Sequence, residues 1–460
     1  MSESEGKKKY QIDMCSGSIF KKMLLFAIPL MCSSILQLLF NAADIVVVGR
    51  YAGDHSLAAV GSNTALINLL TNLFIGLSIG ANVLVARFFG AKQEKELKDT
   101  VHTAMTISII SGVTLTLIGV VGARQILIWM QSPKEVLGLA TTYLRFYFVG
   151  MTATMVYNFG SAILRAVGDT KRPLYYLLFA GVVNVVLNLI FVIGLKMDVA
   201  GVALATVISQ CISAALVLRC LMKEQGGIRL ELRKLKVNSR ILLKILQIGL
   251  PAGFQGVIFA IANVTIQSSI NSFGAVEMAG NSAASNIEGF VYMSMNAFYQ
   301  SAISFTSQNM GAGKYERINK ILFTAELCVI VVGLVMGNAA VFFAPELLRF
   351  YSKNPEVILA GTERLKVICS VYALCGMMDV MVGMIRGLGY SVMPMIVSLI
   401  GACALRLIWL ATLFQMEQFH TVQMIYITYP VSWTVTLLAH ICCFIIIRRK
   451  LGRKWKMAAA

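Results

Sequence analysis

Of the 460 residues, 57% are apolar and only 13% charged, and the mean hydropathy of +0.75 lies far outside the range of soluble domains. This composition excludes a soluble enzyme or an ordinary cytosolic binding module. The net charge of +18 must then be read by where the basic residues fall, because its total alone does not point to nucleic acid.

Apolar runs of about 20 residues or more, each able to cross a ~30 Å hydrocarbon core as a helix, recur along the whole chain. In order they are 20–49, 58–88, 96–121, 137–166, 171–195, 199–222, 240–271, 278–309, 315–343, 357–386, 392–416 and 420–447, twelve spans in all. A barrel would need alternating segments of about ten residues, a pattern the chain lacks, so the expected fold is all-α and membrane-spanning. The polar N-terminal stretch leads into an apolar run of full span length, so no cleavable signal peptide is expected. With twelve spans and both ends on one side, that side carries 30 of the 40 Lys and Arg. The positive-inside rule therefore puts both termini in the cytoplasm of an inner-membrane, multi-pass protein.

The first span contains LQLLFNAADIVVVGR, in which Gln37, Asn41 and Asp44 are spaced to share one helix face. A carboxyl at membrane depth costs several kcal/mol without partners and is a functional candidate by default. Amides can donate to a carboxylate or ligate Na⁺, so this cluster suits either ion. Earlier in the same span Pro29 interrupts the helical hydrogen bonds and marks a candidate hinge. Further along, Asn184 and Asn188 stand four apart on the fifth span, and Thr206 lies on the sixth.

Past the middle, Glu288, Glu326, Asp379 and Arg406 are further ionisable residues within spans. Arg406 reads as the basic residue deepest in a span and as the partner expected for Asp379 or Glu288. Arg165 and Arg386 read as helix-end residues on the basic side. Met155, Tyr157, Met293 and Tyr299 offer the soft or aromatic walls of a multispecific cleft, with Gln37, Asn158, Gln255 and Asn263 as its polar contacts. The Cys residues are scattered, without ligand spacing, and read as small apolar residues. Neither a nucleotide-binding GxxxxGK[ST] nor a nucleophile–base or metal-ligand set is present, so an enzyme is not expected.

The chain also repeats itself. Pro29 recurs as Pro251 and Asn41 as Asn263, each 222 residues on, while Gly90-Ala91 recurs as Gly311-Ala312 after 221. The 221 shift also carries ILRAVGDTKRP at Ile163 onto MIRGLGYSVMP at Met384, and Asn158 onto Asp379. Six spans per repeat make the repeat parallel. The expected organisation is an N-terminal lobe at 1–222, a basic cytoplasmic linker at 223–239 and a C-terminal lobe at 240–460.

Pro29, the run QLLFNAADIVVVGR, the loops GAKQEKE and GAGKYER, and the paired LRAVGD and IRGLGY together resemble the multidrug and toxic compound extrusion (MATE) family from end to end. The resemblance implies a V-shaped pair of six-helix lobes and no cofactor. It implies export of small organic compounds, often cationic or amphipathic, in exchange for H⁺ or Na⁺. In the DinF-like branch the coupling Asp lies on helix 1, which maps to Asp44 with Asn41, Asn184 and Thr206. Asn188 stands where that branch has a second carboxylate, which tilts the reading toward H⁺. In the NorM-like branch a helix-10 Asp maps to Asp379. The rival function is a lipid-linked-precursor flippase of the same superfamily, which would need a strongly basic cleft. The protein is expected to act in the bilayer as a monomer and not on nucleic acid.

Overall fold

The computed structural model describes residues 10–52, 54–130 and 133–459. Its elements are α1 (Ile19–Tyr51), α2 (Asp54–Gly90), α3 (Glu94–Trp129), α4 (Lys134–Val149), α5 (Met151–Ala166), α6 (Lys171–Asn188, extended by a π-helical turn Leu189–Gly194) and α7 (Asp198–Lys223). Then follow α8 (Ser239–Asn271), α9 (Ala275–Gly311), α10 (Arg317–Phe342), the short α11 (Ala344–Arg349), α12 (Pro355–Cys369) and α13 (Ala373–Gly387). The last are α14 (Val392–Ser398), which runs through a π-helical segment Leu399–Ala404 into α15 (Leu405–Ala411), and α16 (Val422–Ala459).

Nine helical runs among the described residues are long and apolar enough to cross a membrane, and the pair α12–α13, bent by 47°, makes a tenth. The two expected spans outside that set have identifiable causes. One is divided at Gly150 into α4 and α5, each of 16 residues. The other, α9, is long but polar on its buried side, with Ser294, Ser301, Ser304, Thr306, Ser307, Gln308 and Asn309 all buried. The Ser294 and Ser301 hydroxyls bond back to the Phe290 and Ala297 carbonyls of the same helix at 2.9 and 2.7 Å, while those of Thr306 and Ser307 reach Met384 and Gly387 of α13, so they cost little in an apolar setting.

The repeat is visible in the backbone. Helix α5 begins at 151 and α13 at 373, and they end at 166 and 387, so the two broken spans differ in register by 222 and 221 residues. Helices α2 and α9 end at Gly90 and Gly311, and each is followed two residues later by a left-handed residue, Lys92 at φ 56° and Gly313 at φ 68°. The turns after α5 and α13 likewise place Gly168 and Gly389 at φ 92° and 97°, a conformation that glycine adopts without strain.

The chain forms two compact units, one of residues 1–15, 28–256 and 311–313, the other of 16–27, 257–310 and 314–460. In unit 1 the core is Val47 and Val48 of α1, Leu66 and Ile67 of α2, Leu115 and Leu127 of α3, Leu144 and Phe148 of α4, and Val199 and Val202 of α7. Helix α2 meets the first half of α8 at backbone distance. A Cβ on Gly76 would lie 2.3 Å from the Gly253 nitrogen, and one on Gly80 2.4 Å from the Ile245 carbonyl oxygen. Two small-xxx-small pairs, Gly76/Gly80 and Gly249/Gly253, create this crossing, the usual device for close helix approach in lipid. Gly76→Ala is expected to cost about 1–3 kcal/mol by overpacking. Gly289→Ala, where no atom lies within 4 Å of the new Cβ, is expected to be neutral or slightly stabilising. Thermal denaturation of the two variants in detergent checks the contrast.

The linker is fastened to α3. Glu231 pairs with Lys98 at 2.6 Å and Lys234 at 2.5 Å, its backbone N–H donates to His102 Nε2 at 3.1 Å, and Asn238 donates to Asp99 at 3.3 Å. The lysine hydrogen bonds, that of Lys234 first, hold the Glu231 carboxyl down to about 2. The tie is therefore fully present above the ordinary glutamate range and is lost only as pH falls through about 2.

Candidate functional site

Three helices of unit 1 converge on Asp44. Asn188 on α6 donates from Nδ2 to Asp44 Oδ1 at 2.5 Å and to Asn184 Oδ1 at 3.2 Å, one N–H to each. Asn184 Nδ2 in turn donates to Thr206 Oγ1 on α7 at 3.3 Å. The Thr206 hydroxyl lies 3.0 Å from the Val202 carbonyl and 3.5 Å from Asp44 Oδ2. A hydroxyl has one proton, so at any instant Thr206 donates to one of these acceptors, and the shorter contact is to Val202. Asp44 Oδ2 is thus the least satisfied oxygen of the carboxyl. Asn188 is fully buried, and its own Oδ1 has no hydrogen-bond partner among the described residues.

The helix-1 amides stand apart from this network. Gln37 and Asn41 are exposed and neither hydrogen-bonds Asp44. Three residues along a helix turn the side chain by roughly 60° away from its neighbour's direction, enough for Asp44 to point at α6 and α7 while Asn41 does not. Two tyrosines of α4 that the sequence reading missed, Tyr143 and Tyr147, lie within electrostatic range of Asp44. Tyr143 sits on the buried stripe Val136, Ala140, Tyr143, Leu144, with the half-buried Tyr147 four residues further along, which was the available signal.

In unit 2 the acid–base pairing differs from the one expected. Glu288 on α9 pairs with Arg364 on α12, not with Arg406, through two bonds of 2.8 Å from Nε and Nη2. The third guanidinium nitrogen donates to Asn281 at 2.5 Å, and Asn281 donates onward to Gln267 at 2.6 Å. Arg364 also faces the rings of Tyr426 and Tyr429 at 5.4 and 5.5 Å. Arg406 lies 4.2 Å over the other partner ring, Tyr429, and donates from Nε to Ser432 at 2.7 Å. Asp379 lies beside the Tyr292 hydroxyl with Arg386 in electrostatic range. Arg386 is buried, bonded at 2.5 Å to the Tyr299 hydroxyl, and is no wet helix-end residue. Arg406 is therefore one of three buried arginines in this unit rather than the lone deep one.

The cleft residues divide. Gln37 and Asn263 are exposed, while Tyr157, Asn158, Gln255 and Met293 are half-buried, with the Tyr157 hydroxyl donating to the Pro173 carbonyl at 3.2 Å. Met155 is a correction: it is fully enclosed in the unit 1 core and lines no open surface, because α5 turns that face onto its neighbours. Tyr299 is buried as well, its hydroxyl taken by Arg386. Pro29 is buried inside a continuous α1, and the division of α1 between the two units falls just before it, between Ala27 and Ile28.

Comparison with known proteins adds an independent line. The MatE family model matches the chain twice, at residues 29–190 and 251–411. The two starts differ by 222 and the two ends by 221, the same offsets as the internal repeat. A probable multidrug resistance protein, YoeA of Bacillus subtilis, is 25% identical over 92% of both chains. A second, NorM of Thermotoga maritima, is 24% identical over 85% of this chain and 84% of its own. A solved outward-facing multidrug resistance MATE transporter of the MOP superfamily shares the fold at a TM-score of 0.87 and 22% identity, covering 96% of this chain and 98% of its own.

Proposed function

The chain belongs to the MatE family of membrane transporters, and on that premise we propose that it is a secondary antiporter exporting organic, cationic or amphipathic compounds in exchange for H⁺, with Asp44 as the coupling carboxyl. The proposal sets it in the inner membrane with both termini in the cytoplasm, in keeping with the 30 of 40 basic residues on that side.

The observation that carries this reading is the hydrogen-bond set joining α1, α6 and α7 at a single carboxyl. Its unsatisfied oxygen, Oδ2, faces a hydroxyl that already has an acceptor for its own proton. A proton on Oδ2 would donate to Thr206 Oγ1 and complete the network. Protonation also removes the charge that strengthens the Asn188 bond, and a charge-assisted hydrogen bond is roughly twice as strong as a neutral one. The tie between α1 and α6 loosens, and α1 is free to bend at Pro29, where the missing backbone N–H leaves the helix compliant. Cleft reshaping and substrate release follow, and ion release toward the cytoplasm resets the carboxylate.

The amide at 188 also favours H⁺ over Na⁺. Its NH₂ group lies between Asp44 Oδ1 and Asn184 Oδ1, where a cation bridging those oxygens would have to sit. Asn188→Asp would exchange that donor for a second negative charge. The variant is expected to gain stabilisation by NaCl relative to KCl, approaching ~2.7 kcal/mol at a hundredfold excess over Kd. Thermal melting of wild type and variant in the two salts measures it; an indifferent variant would remove the physical basis of the proton preference. The flippase alternative is not favoured, since Arg364, one of the buried arginines, is already neutralised by Glu288.

A further inference from the structure

Helix α10 of unit 2 carries two adjoining grooves that the Asp44 network does not use. Arg317, Lys320 and Thr324, three and four residues apart, share one face of the helix, and Asn319, Leu322 and Glu326 share the next. A groove of about 550 Å³ runs along the first face and is walled by Ile19 and Phe20 at the start of α1. A groove of about 590 Å³ runs along the second and is walled by α13 and α16, with Met381, Leu437 and Phe444 among its apolar residues. Asn319 and Phe323 line both, so one ridge of α10 divides them.

Four basic side chains gather at one end of the pair. Arg317 and Lys320 line the first groove, Arg448 and Arg449 the second. Arg317 Nη2 donates to the Gly17 carbonyl at 3.1 Å, and Arg448 donates to Asn319 at 3.1 Å and to the Tyr315 carbonyl at 3.3 Å. These bonds bring the start of α1, the start of α10 and the end of α16 together, on the side that the positive-inside reading gives to the cytoplasm. Among the described residues no carboxylate pairs with Arg317, Lys320 or Arg449. Glu326 is the one acid among the described lining residues, and both its oxygens are enclosed, so neither meets an anion placed at the basic end.

We propose that the paired grooves bind one molecule of a diphosphatidylglycerol-type membrane lipid, its two phosphates on the four basic side chains and its acyl chains along the apolar walls on both sides of Phe323. Basic pockets between membrane helices on the cytoplasmic side suit such head groups, and arginine matches a phosphate in geometry as well as charge. A lipid with a single phosphate fills one groove and leaves the other basic pair without a counterion. Two phosphates on one short bridge match two grooves that share a wall. Phe20 and Phe323 are exposed, so the walls lie open to acyl chains from the bilayer. The site lies within one unit and stands whether or not Asp44 carries the coupling ion.

Native mass spectrometry of the delipidated full chain tests this, with tetraoleoyl diphosphatidylglycerol offered against twice its concentration of dioleoyl phosphatidylglycerol, so that phosphates and acyl chains are equal in number. The wild type is expected to keep one diphosphatidylglycerol with a preference of at least about tenfold, because the second of two linked phosphates binds intramolecularly. Lys320→Gln joined with Arg449→Gln, both at exposed positions, is expected to weaken that binding at least about tenfold. Arg233→Gln joined with Arg240→Gln removes the same charge at exposed positions in or beside the linker and is expected to leave it unchanged. Inorganic phosphate at equal phosphate concentration is expected not to displace the lipid, since the chains are part of the binding. The proposal is overturned if the wild type takes phosphatidylglycerol equally well, if inorganic phosphate displaces the lipid, or if the Lys320/Arg449 variant binds as the wild type does. It is equally overturned if the two double variants lose lipid alike, which would make the attraction a property of the whole basic surface. The lipid preference is read on the wild type alone and no arm reads transport, so the outcome is independent of variant folding and of the coupling reading.

Discussion

Glu288→Ala is expected to destabilise the protein by about 3–5 kcal/mol, the cost of leaving a buried guanidinium without its carboxylate. Arg364 is 5% exposed and Glu288 6%, so solvent cannot stand in for the missing charge. Asn281 and the two tyrosine rings remain, but none of them carries a compensating formal charge. Joining Glu288→Leu with Arg364→Met should restore most of the loss, because replacing both members of a buried pair by apolar groups is often neutral or stabilising. A double-mutant cycle on denaturation midpoints gives the coupling directly. Additive single and double effects would show that the pair contributes nothing as a pair.

Asp44→Asn is expected to leave folding intact and to lower gradient-driven export by about 5- to 150-fold, the span that matches a site-to-site coupling of ~1–3 kcal/mol. An amide of the same shape still accepts from Asn188 and can donate to Thr206, so the helices remain joined. What it lacks is a titratable state. Substrate binding should persist while its dependence on the driving ion disappears, a split that mere misfolding would not produce.

The twelve-span, two-lobe organisation was legible because it is written in local quantities: apolar run length, basic residues between runs, and landmarks repeated at 221–222. Gly150 and the bend near 370 were less visible, since both sit inside runs whose hydropathy is continuous. The Asp44 network was found through family resemblance rather than spacing, for its members are 144 and 162 residues from Asp44 and meet only in tertiary structure. Asn41 was the natural local partner and proved the wrong one, because proximity on a helix does not fix which neighbour a side chain faces.

Arg364 is the instructive miss. Its segment TERLK lies inside the span expected at 357–386, carries three charges in five residues, and was not among the candidate residues. Yet α12 buries Val357, Ala360, Gly361, Leu365 and Ile368, and Arg364 lies on that same stripe while Glu363 and Lys366 lie off it. The helix itself was well marked, with Asn354 capping the Glu356 N–H at 3.0 Å ahead of Pro355 at the first position. Helical periodicity applied to a charged residue, rather than to apolar ones alone, would have picked out Arg364 as a buried cation in need of an acid.

The coupling claim is tested most directly by efflux of a fluorescent organic cation from proteoliposomes under an imposed pH gradient or an imposed Na⁺ gradient, applied separately to wild type and Asp44→Asn. The account predicts efflux with the pH gradient alone and its loss in the variant. Efflux driven by Na⁺ alone, or a variant that responds to the pH gradient as the wild type does, would contradict it.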